Sequence, residues 1–375
     1  MKGYYHMYNL YFRASHQNQS KIIMKNLLFL FLFCCGFISA QNEPIAQKGI
    51  PTIIDLFKEK AIVAIGETHG HQQLYDFLDK LIQTEGFYKN VNDILIESGN
   101  AFYQETLDKY IFGENVAFED LQKVWLNTTQ SPVDPWSVDV YYKLLKTIRV
   151  LNSKIARDHR IRVIAADPPM DWKLINSLED YETTRGSRDA YYAQTVIDKV
   201  LLKGRKALLI NGGAHFGNHS PKKNKVNQRI EKLYPNSITV VLATSGLWKG
   251  NEAKEAQLNW SLGTIAKVKN TWIGLLPGPR RMMMSATSTG NTQAIATAPT
   301  AVSTRPPSKN KRQDYFEYLL YFGSRKAIRY GTIDPSIYQS DKLWKELNRR
   351  SFIRFNHKLI EATRATGELR PEAYN

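Results

Sequence analysis

The chain has 375 residues, 43% of them hydrophobic and 23% charged, so it is long enough for a sizeable core and too apolar for wholesale disorder. Its formal charge is +16 at pH 7, but the basic residues are scattered and no zinc-finger, RNP or helix-turn-helix pattern accompanies them. We therefore expect a globular protein without a nucleic-acid partner.

The first 40 residues match the pattern of a secretory signal peptide. Met24 and a lysine precede an apolar run at 27–38 that holds both cysteines, and Ala40 stands at the exit. The run is short for a membrane span, although an uncleaved anchor is the alternative. Residues 1–23 would be an extension before the true start. Cleavage after Ala40 predicts an exported protein, periplasmic or secreted, with no cysteine and therefore no disulfide or thiolate ligand.

Residues 41–280 have the pattern of an α/β domain. A short helix is predicted at 51–60, a continuous apolar run at 61–65 indicates a buried strand, and an amphipathic helix follows at 73–83. Further strands are predicted at 93–99, 162–169, 207–215, 237–243 and 271–276. The fold class that follows is α/β, with a mainly parallel β-sheet flanked by helices.

A helical insertion is predicted after the second of these strands. Residues 102–112 and 138–151 have apolar side chains at helical spacing, and Pro132 and Pro135 interrupt the region between them. We expect this insertion to form a cap over the strand ends.

The end of the chain divides into two parts. Residues 281–310 are rich in Ser, Thr, Ala and Pro and lack core-forming periodicity, which predicts a flexible low-complexity insert. Hydrophobic residues resume at 315–322, and residues 341–366 have a basic helical pattern. The segment 311–375 is therefore predicted to complete the domain with a basic helical end.

Carboxylates and histidines stand directly after the predicted strands. A buried carboxylate is costly unless it is paired or bound to a metal, and ligands of open α/β sheets bind at the carboxyl ends of the strands. We therefore expect the following side chains to lie near one edge of the sheet: Glu67, His69, His71, Glu97, His215 and His219.

Glu67, His69, Glu97 and His215 are the candidate catalytic and metal-binding residues. Imidazole and carboxylate groups suit a divalent Zn, Mn or Fe ion. Such an ion would generate hydroxide near neutral pH, with a spare carboxylate as the general base. Without a metal, a Glu–His pair would activate water itself.

Three other polar residues have less defined roles. His71 and His219 are candidates for contacting a cofactor or substrate, and Asp167 either orients a histidine or forms a turn. The structural alternative is that Thr68 caps the following helix and Glu67 bonds to nearby backbone.

Other common chemistries lack their motifs in this chain. There is no Gly-x-Ser-x-Gly elbow for a serine nucleophile, no P-loop and no dinucleotide-binding fingerprint. The Gly-Gly pair at 212–213 is more consistent with a close approach of the backbone to whatever His215 contacts.

Residues 66–69 (Gly-Glu-Thr-His) and 212–215 (Gly-Gly-Ala-His), with Glu97 between them, resemble the superfamily that joins ChaN-like haem-uptake proteins, TraB/TIKI metalloproteases and erythromycin esterases. The TIKI branch has two Gly-x-x-His motifs and a glutamate, which implies a metal-dependent hydrolase. Gly-Glu-x-His is closer to the ChaN-like branch, which implies haem binding. The esterases place two residues between the Glu and the His, where this chain has only Thr68.

We predict an exported metal-dependent hydrolase that cleaves an amide or ester bond of a small-molecule or peptide substrate. Its water would be activated by the metal or by a Glu/His pair. The alternative is a haem-binding, iron-uptake protein of the ChaN-like type, with haem at the same face. A third hypothesis is a scaffold protein in which the candidate site residues are only structural. Contact with a membrane is expected only through the signal segment.

Overall fold

Eight segments of the chain form a single β-sheet. The computed structural model describes residues 42–133, 135–217, 224–244, 250–278 and 310–372. By its internal contacts the chain divides into two units, Met1–Glu43 and Pro44–Asn375, and the sheet belongs to the second. The predicted signal peptide, His219 and nearly all of the predicted insert at 281–310 lie outside the described residues.

The strands are arranged in the order β1-β7-β8-β6-β2-β5-β3-β4. From β8 to β4 every neighbouring pair is parallel, whereas β7 runs antiparallel to both β8 and β1. The predicted α/β class with a mainly parallel sheet is confirmed. The strand bounds are β1 Gln47–Lys48, β2 Ile62–Glu67, β3 Asp93–Asn100, β4 Arg162–Asp167, β5 Ala207–Gly212, β6 Ile238–Thr244, β7 Thr264–Lys267 and β8 Tyr318–Tyr321.

Helices connect the strands and cover both faces of the sheet. The helical insertion predicted after the second long strand is present as α4 to α6, between β3 and β4. The α-helices of the described residues are α1 Gly49–Glu59, α2 Gln72–Ile82, α3 Glu85–Tyr88, α4 Gln104–Ile111, α5 Phe118–Leu126, α6 Asp139–Asn152, α7 Leu178–Arg185, α8 Arg188–Lys199, α9 Val226–Leu233, α10 Glu252–Leu258, α11 Trp272–Leu275 and α12 Asp341–Phe355.

Two hydrophobic clusters pack on opposite faces of the sheet. In β2, Val63 and Ile65 belong to the cluster that includes α1 to α6, whereas Ile62 and Ala64 belong to the cluster with α8, α9 and α11. Successive side chains of a strand point to opposite faces, so a strand covered on both sides is apolar throughout. This double burial is why the strands have continuous apolar sequences.

The strand predicted at 271–276 is wrong, because this segment is the short helix α11. The Thr271 side chain accepts a hydrogen bond from the Gly274 N–H and so caps the first turn of the helix. The strand of this region is β7, a short segment just before α11 that runs antiparallel to β8. Four residues of β7 are too few for their apolar pattern to stand out in the sequence.

The chain after the predicted insert completes the sheet and adds a final helix. Strand β8 lies between β6 and β7. Helix α12 ends at Phe355, and Asn356 adopts a left-handed conformation at its C-cap, so the predicted helical segment at 341–366 is shorter than expected. The rest of that segment includes a 3-10 helix, Glu361–Ala365.

Candidate functional site

The carboxyl ends of four adjacent strands bring the candidate residues together. Strands β2, β5, β3 and β4 are neighbours in that order. Strand β2 ends in Glu67, β5 in Gly212 and β4 in Asp167. Strand β3 carries Glu97 near its end at Asn100. The 3-10 turn Gly213–His215 follows β5 directly and carries His215. In open α/β sheets this edge is the usual ligand-binding face.

Glu67 is buried and fully bonded through both carboxylate oxygens. Its Oε2 accepts from the Tyr75 hydroxyl at 2.9 Å, and its Oε1 lies 3.1 Å from Nδ1 of His69. The Tyr141 hydroxyl accepts from the Gly70 N–H at 2.9 Å and lies 3.4 Å from Glu67 Oε1. Burial and the charge of Glu67 raise the pKa of both tyrosines well above 10, so they remain hydrogen-bond donors.

His69 is held from one side and open on the other. Glu67 accepts the Nδ1 proton, which leaves Nε2 as the basic nitrogen, and Nε2 has no hydrogen-bond partner among the described residues. The ring packs edge-on against Trp136, with 4.5 Å between centroids, and 31% of the side chain is exposed. Burial lowers the pKa of His69, but the hydrogen bond to Glu67 and the charges of Glu97 and Glu67 outweigh it, so the pKa lies above 6.5.

Glu97 is the centre of a buried ionic network. Its Oε1 accepts from Arg188 at 2.7 Å and from Nε2 of His215 at 3.1 Å, and Gln130 lies 3.3 Å away. Its Oε2 accepts from the backbone N–H of Gly212 at 2.6 Å. Burial opposes ionisation of Glu97, but the positive charges of His215 and Arg188 prevail and hold its pKa well below 4.5.

Arg188 bridges two buried carboxylates. Its Nη2 donates to Glu97 and its Nε donates to Asp167 at 3.0 Å, while its guanidinium lies over the Tyr192 ring. Asp167 also accepts from the backbone N–H of Thr129 at 2.6 Å and from the Thr129 hydroxyl at 2.8 Å. Removing one partner of such a buried pair leaves an uncompensated charge, at a cost of about 3–5 kcal/mol.

His215 is bonded through both ring nitrogens. Nδ1 is in hydrogen-bond contact with Asp189, in the first turn of α8, and Nε2 contacts Glu97. Burial lowers the pKa of His215, but the charge of Glu97 and the hydrogen bonds to Asp189 and Glu97 raise it to about 9. The ring is therefore an imidazolium at neutral pH, and it adds a second positive charge beside Arg188.

The structure brings all four candidate residues together. Glu67 contacts His69, Glu97 contacts His215, and the charge of Glu97 acts on His69. Gly212 stands between the two pairs, since a Cβ atom there would lie 2.8 Å from Cε1 of His69 and 3.4 Å from Oε2 of Glu97. Their catalytic roles stay predictions.

Of the other two candidate histidines, one lies outside this site and one lies outside the described residues. His71 is buried at the start of α2, where its ring packs edge-on against Phe322 of the core. Burial lowers its pKa to about 4, so it is neutral at pH 7. His219 belongs to residues 218–223, outside the described part of the chain. Asp167 orients Arg188, not a histidine, through the contact described above.

Several site residues were not predicted from the sequence: Tyr75, Gln130, Trp136, Tyr141, Arg188, Asp189 and Tyr192. The tyrosines belong to amphipathic helices, where an aromatic residue normally indicates core packing. Arg188 and Asp189 occupy the first turn of α8, where charged residues are ordinary. Only their contacts in the folded chain, Arg188 with Glu97 of β3 and Asp189 with His215 after β5, reveal their role.

The predicted metal ion does not fit the side chains as they are placed. Glu67 and Glu97 already accept hydrogen bonds on both oxygens, and both nitrogens of His215 are occupied. The guanidinium of Arg188 is paired with Glu97 and so puts a positive charge at the position where a metal cation would have to bind. In the described part of the chain, no group of three or more His, Cys, Asp or Glu side chains is arranged to hold a metal ion.

The arrangement instead provides a base, His69, and a fixed cationic group, Arg188, which both interact with Glu97. Of the site histidines, His69 alone has a nitrogen without a partner among the described residues. Arg188 uses Nε and Nη2 for its carboxylates, and its Nη1 amino group has no partner in the described part of the chain, so it can donate to a bound oxygen. A base and a donor of this kind are the groups required to add water to a carbonyl.

The described part of the chain contains no helix that is long and apolar enough to cross a membrane.

No protein-family model and no curated protein matches the sequence. Among solved structures, a succinoglycan biosynthesis protein matches with a TM-score of 0.54 and 9% identity, over 79% of this chain and 97% of that one. At this identity the likeness shows the fold alone.

Two of the matching structures belong to groups named in the predicted resemblance. A mutant of the erythromycin esterase EreC in its open conformation matches at a TM-score of 0.46 and 10% identity, over 76% of this chain and 95% of that one. ChaN of Campylobacter jejuni, solved with cofacial haem, matches at 0.30 and 15% identity, over 56% of this chain and 94% of that one. At these TM-scores neither match supports an inference about this chain.

Proposed function

We propose that this protein is a hydrolase of ester or amide bonds in which His69 is the general base. The observation that carries the proposal is the placement of His69, whose Nδ1 is fixed by buried Glu67 and whose Nε2 is free on a side chain that is 31% exposed. Carboxylate contact at Nδ1 holds the tautomer in which Nε2 accepts a proton. The protein would act after export, as the pattern at 24–40 indicates.

The reaction requires three events at this edge of the sheet. Nε2 of His69 takes a proton from water while the water oxygen bonds to the substrate carbonyl carbon. The negative charge on the carbonyl oxygen is stabilised by donors such as Nη1 of Arg188, with the imidazolium of His215 nearby. The proton then passes from His69 to the leaving alcohol or amine as the carbonyl carbon–heteroatom bond breaks.

Glu97 has a positioning role in this scheme. Its carboxylate is saturated with hydrogen bonds and its pKa is well below 4.5, so it is a poor base at neutral pH. It fixes Arg188 and His215 at the strand ends instead. Hydrolysis by a Glu/His pair is thus favoured over the metal-dependent form of the same prediction.

The proposal is tested with p-nitrophenyl acetate and a panel of amide and ester substrates, using mature protein treated with a chelator. We expect hydrolysis above the buffer rate, and a loss of about 100-fold or more in His69→Asn, in line with the removal of a general base. His159→Asn is the matched control, because His159 lies in a surface 3-10 turn away from the site. Equal rates for wild type and His69→Asn would overturn the assignment.

Haem binding is the second candidate, and the same observation favours it. An imidazole with a free Nε2 on a partly exposed side chain is, in its deprotonated form, also a ligand for haem iron. Titration with haemin, followed by the Soret absorption, distinguishes the two functions. A saturable Soret band that disappears in His69→Asn, without hydrolysis of any substrate in the panel, would favour haem binding.

A further inference from the structure

One segment connects the site with the far end of the chain. Asn127, Thr128, Thr129, Gln130 and Ser131, here called the 127–131 segment, follow α5 and are largely buried. Facing the site, the Thr129 N–H and hydroxyl both donate to Asp167, and Gln130 lies 3.3 Å from Glu97. The segment therefore lies in direct contact with the ionic network around Arg188.

Helix α12 holds the other side of this segment. Nη1 of Arg350 donates to the Asn127 side chain at 2.8 Å, to the Ser131 hydroxyl at 3.0 Å and to the Leu126 carbonyl at 3.2 Å. Arg354 donates to the Ser131 carbonyl at 2.6 Å and is also bonded to the Gln130 carbonyl. These two arginines lie more than 200 positions away from the segment in the sequence.

The two arginines are themselves fixed by the surrounding structure. Arg350 is buried, pairs with Glu346 at 2.8 Å and lies over the Trp172 ring at 4.9 Å. The Trp172 indole N–H donates to the Asn127 carbonyl at 3.1 Å, so both groups converge on the same segment. Arg354 lies over the Tyr181 ring, whose hydroxyl donates to the Thr129 carbonyl. A buried charge with this many partners has little freedom to move.

We propose that Arg350 and Arg354 of α12 are positioning residues, which hold the 127–131 segment against Asp167 and Glu97 and thereby fix Arg188 in the site. The inference rests on the proposed function only for its effect on catalysis, because the contacts exist whatever the reaction is. It makes the C-terminal helix a part of the site that none of the strand-end motifs reveals. Loss of the hydrogen bonds from Arg350 and Arg354 would release Thr129 and Gln130 and allow water to reach the Asp167–Arg188–Glu97 network.

The test is hydrogen exchange of the full mature chain, followed by mass spectrometry of peptides that cover the 127–131 segment. Arg350→Gln should increase exchange of the Thr129 amide on the order of tenfold or more, because that amide is otherwise bonded to buried Asp167. Arg350→Lys keeps the charge and should restore part of the protection. Arg354→Gln provides a second variant if Arg350→Gln does not fold.

The matched control is Arg364→Gln. Arg364 is another arginine of the C-terminal region with several partners, the Tyr338 and Gln339 carbonyls and Asp341, and its contacts do not include the 127–131 segment. It should leave Thr129 exchange unchanged. Unchanged exchange in both Arg350→Gln and Arg354→Gln, or an equal increase in Arg364→Gln, would overturn the proposal.

A kinetic measurement separates positioning from general stability. With a substrate that the wild type hydrolyses, Arg350→Gln should lower kcat with little change in KM, and Arg350→Lys should recover part of kcat. An unchanged kcat in a variant with faster Thr129 exchange would show that the segment does not position the site. If no substrate is hydrolysed, the exchange result still decides the structural part, so the two failures are distinguishable.

Discussion

His69 and His215 have the same sequence context and different chemistry. Each is the histidine of a Gly-x-x-His segment after a buried strand, and the sequence predicted equal roles for them. In the structure His69 has one carboxylate and a free Nε2, whereas His215 lies between Asp189 and Glu97. The difference depends on Asp189 and Arg188, which belong to a helix that no local pattern connects to either histidine.

The raised pKa of His215 predicts a pH-dependent stability. Protonation of His215 is favoured in the folded state, where its pKa is about 9 rather than 6.5, because Glu97 and Asp189 contact the ring. The contribution of the His215 charge to the free energy of unfolding is therefore fully present below pH 6.5 and is lost as the pH rises through 9. Its size is on the order of 3 kcal/mol. The lowered pKa of Glu97 arises from Arg188 as well as His215, and its contribution to stability is lost only as the pH falls below 4.5, outside this range.

Urea unfolding at pH 6 and pH 9.5 measures this contribution. The wild type should lose stability between the two values, and His215→Gln should show a smaller loss over the same range. His159→Gln, in the surface turn, should follow the wild type. The same pH dependence in the wild type and His215→Gln would show that the His215 charge does not stabilise the fold.

At the scale of the elements, Gly212 ends β5 at a point where a side chain would collide with the His69 ring. A Cβ atom there would stand 2.8 Å from the His69 ring, closer than atoms normally approach. The ring is the mobile end of a side chain, so we expect Gly212→Ala to fold, to displace His69 and to reduce hydrolysis about tenfold or more. Gly86→Ala is the control, because its Cβ atom would meet only Ile54 atoms at 3.4 Å or more.

Circular dichroism and the rate of ester hydrolysis together check this expectation. Full activity in a folded Gly212→Ala protein would mean that His69 does not need its present position. Loss of the fold would mean that the close approach at Gly212 is a packing requirement instead.

The strands were the elements that the sequence predicted best. Strands covered on both faces have long apolar runs, and parallel strands place their carboxyl ends at one edge, so the convergence of Glu67, His69, Glu97 and His215 followed from pattern alone. The strand predicted at 271–276 was wrong because a capped single-turn helix and a short strand have similar apolar composition. The arginines of α12 were read only as a basic helix, since their partners are distant in sequence.

At the scale of the whole molecule, the part of the chain after the predicted insert pairs and packs with elements that precede the insert. Strand β8 pairs with β6 on one side and β7 on the other, and α12 bonds to the 127–131 segment. We therefore expect that cutting the chain at a specific protease site introduced between Met282 and Ser308 leaves the two pieces associated. Central strand pairing and a shared core hold them together without the covalent connection.

Size-exclusion chromatography before and after cleavage, with denaturing gels of each peak, measures this association. Both pieces should elute together at the position of the uncut protein and separate only in denaturant. Elution of the C-terminal piece alone under native conditions would contradict the central position of β8.

The proposed mechanism depends most on His69 as a base that Glu67 holds, and the pH dependence of kcat/KM tests this role most directly. With p-nitrophenyl acetate, the wild-type rate should rise with pH through an apparent pKa above 6.5, because neutral His69 is the active form. Glu67→Gln should lower that pKa, since the hydrogen bond to Glu67 and the charge of Glu67 are two of the three causes that raise it, the third being the charge of Glu97. A profile that is flat with pH, or one that Glu67→Gln leaves unchanged, would contradict the assignment of His69 as the base.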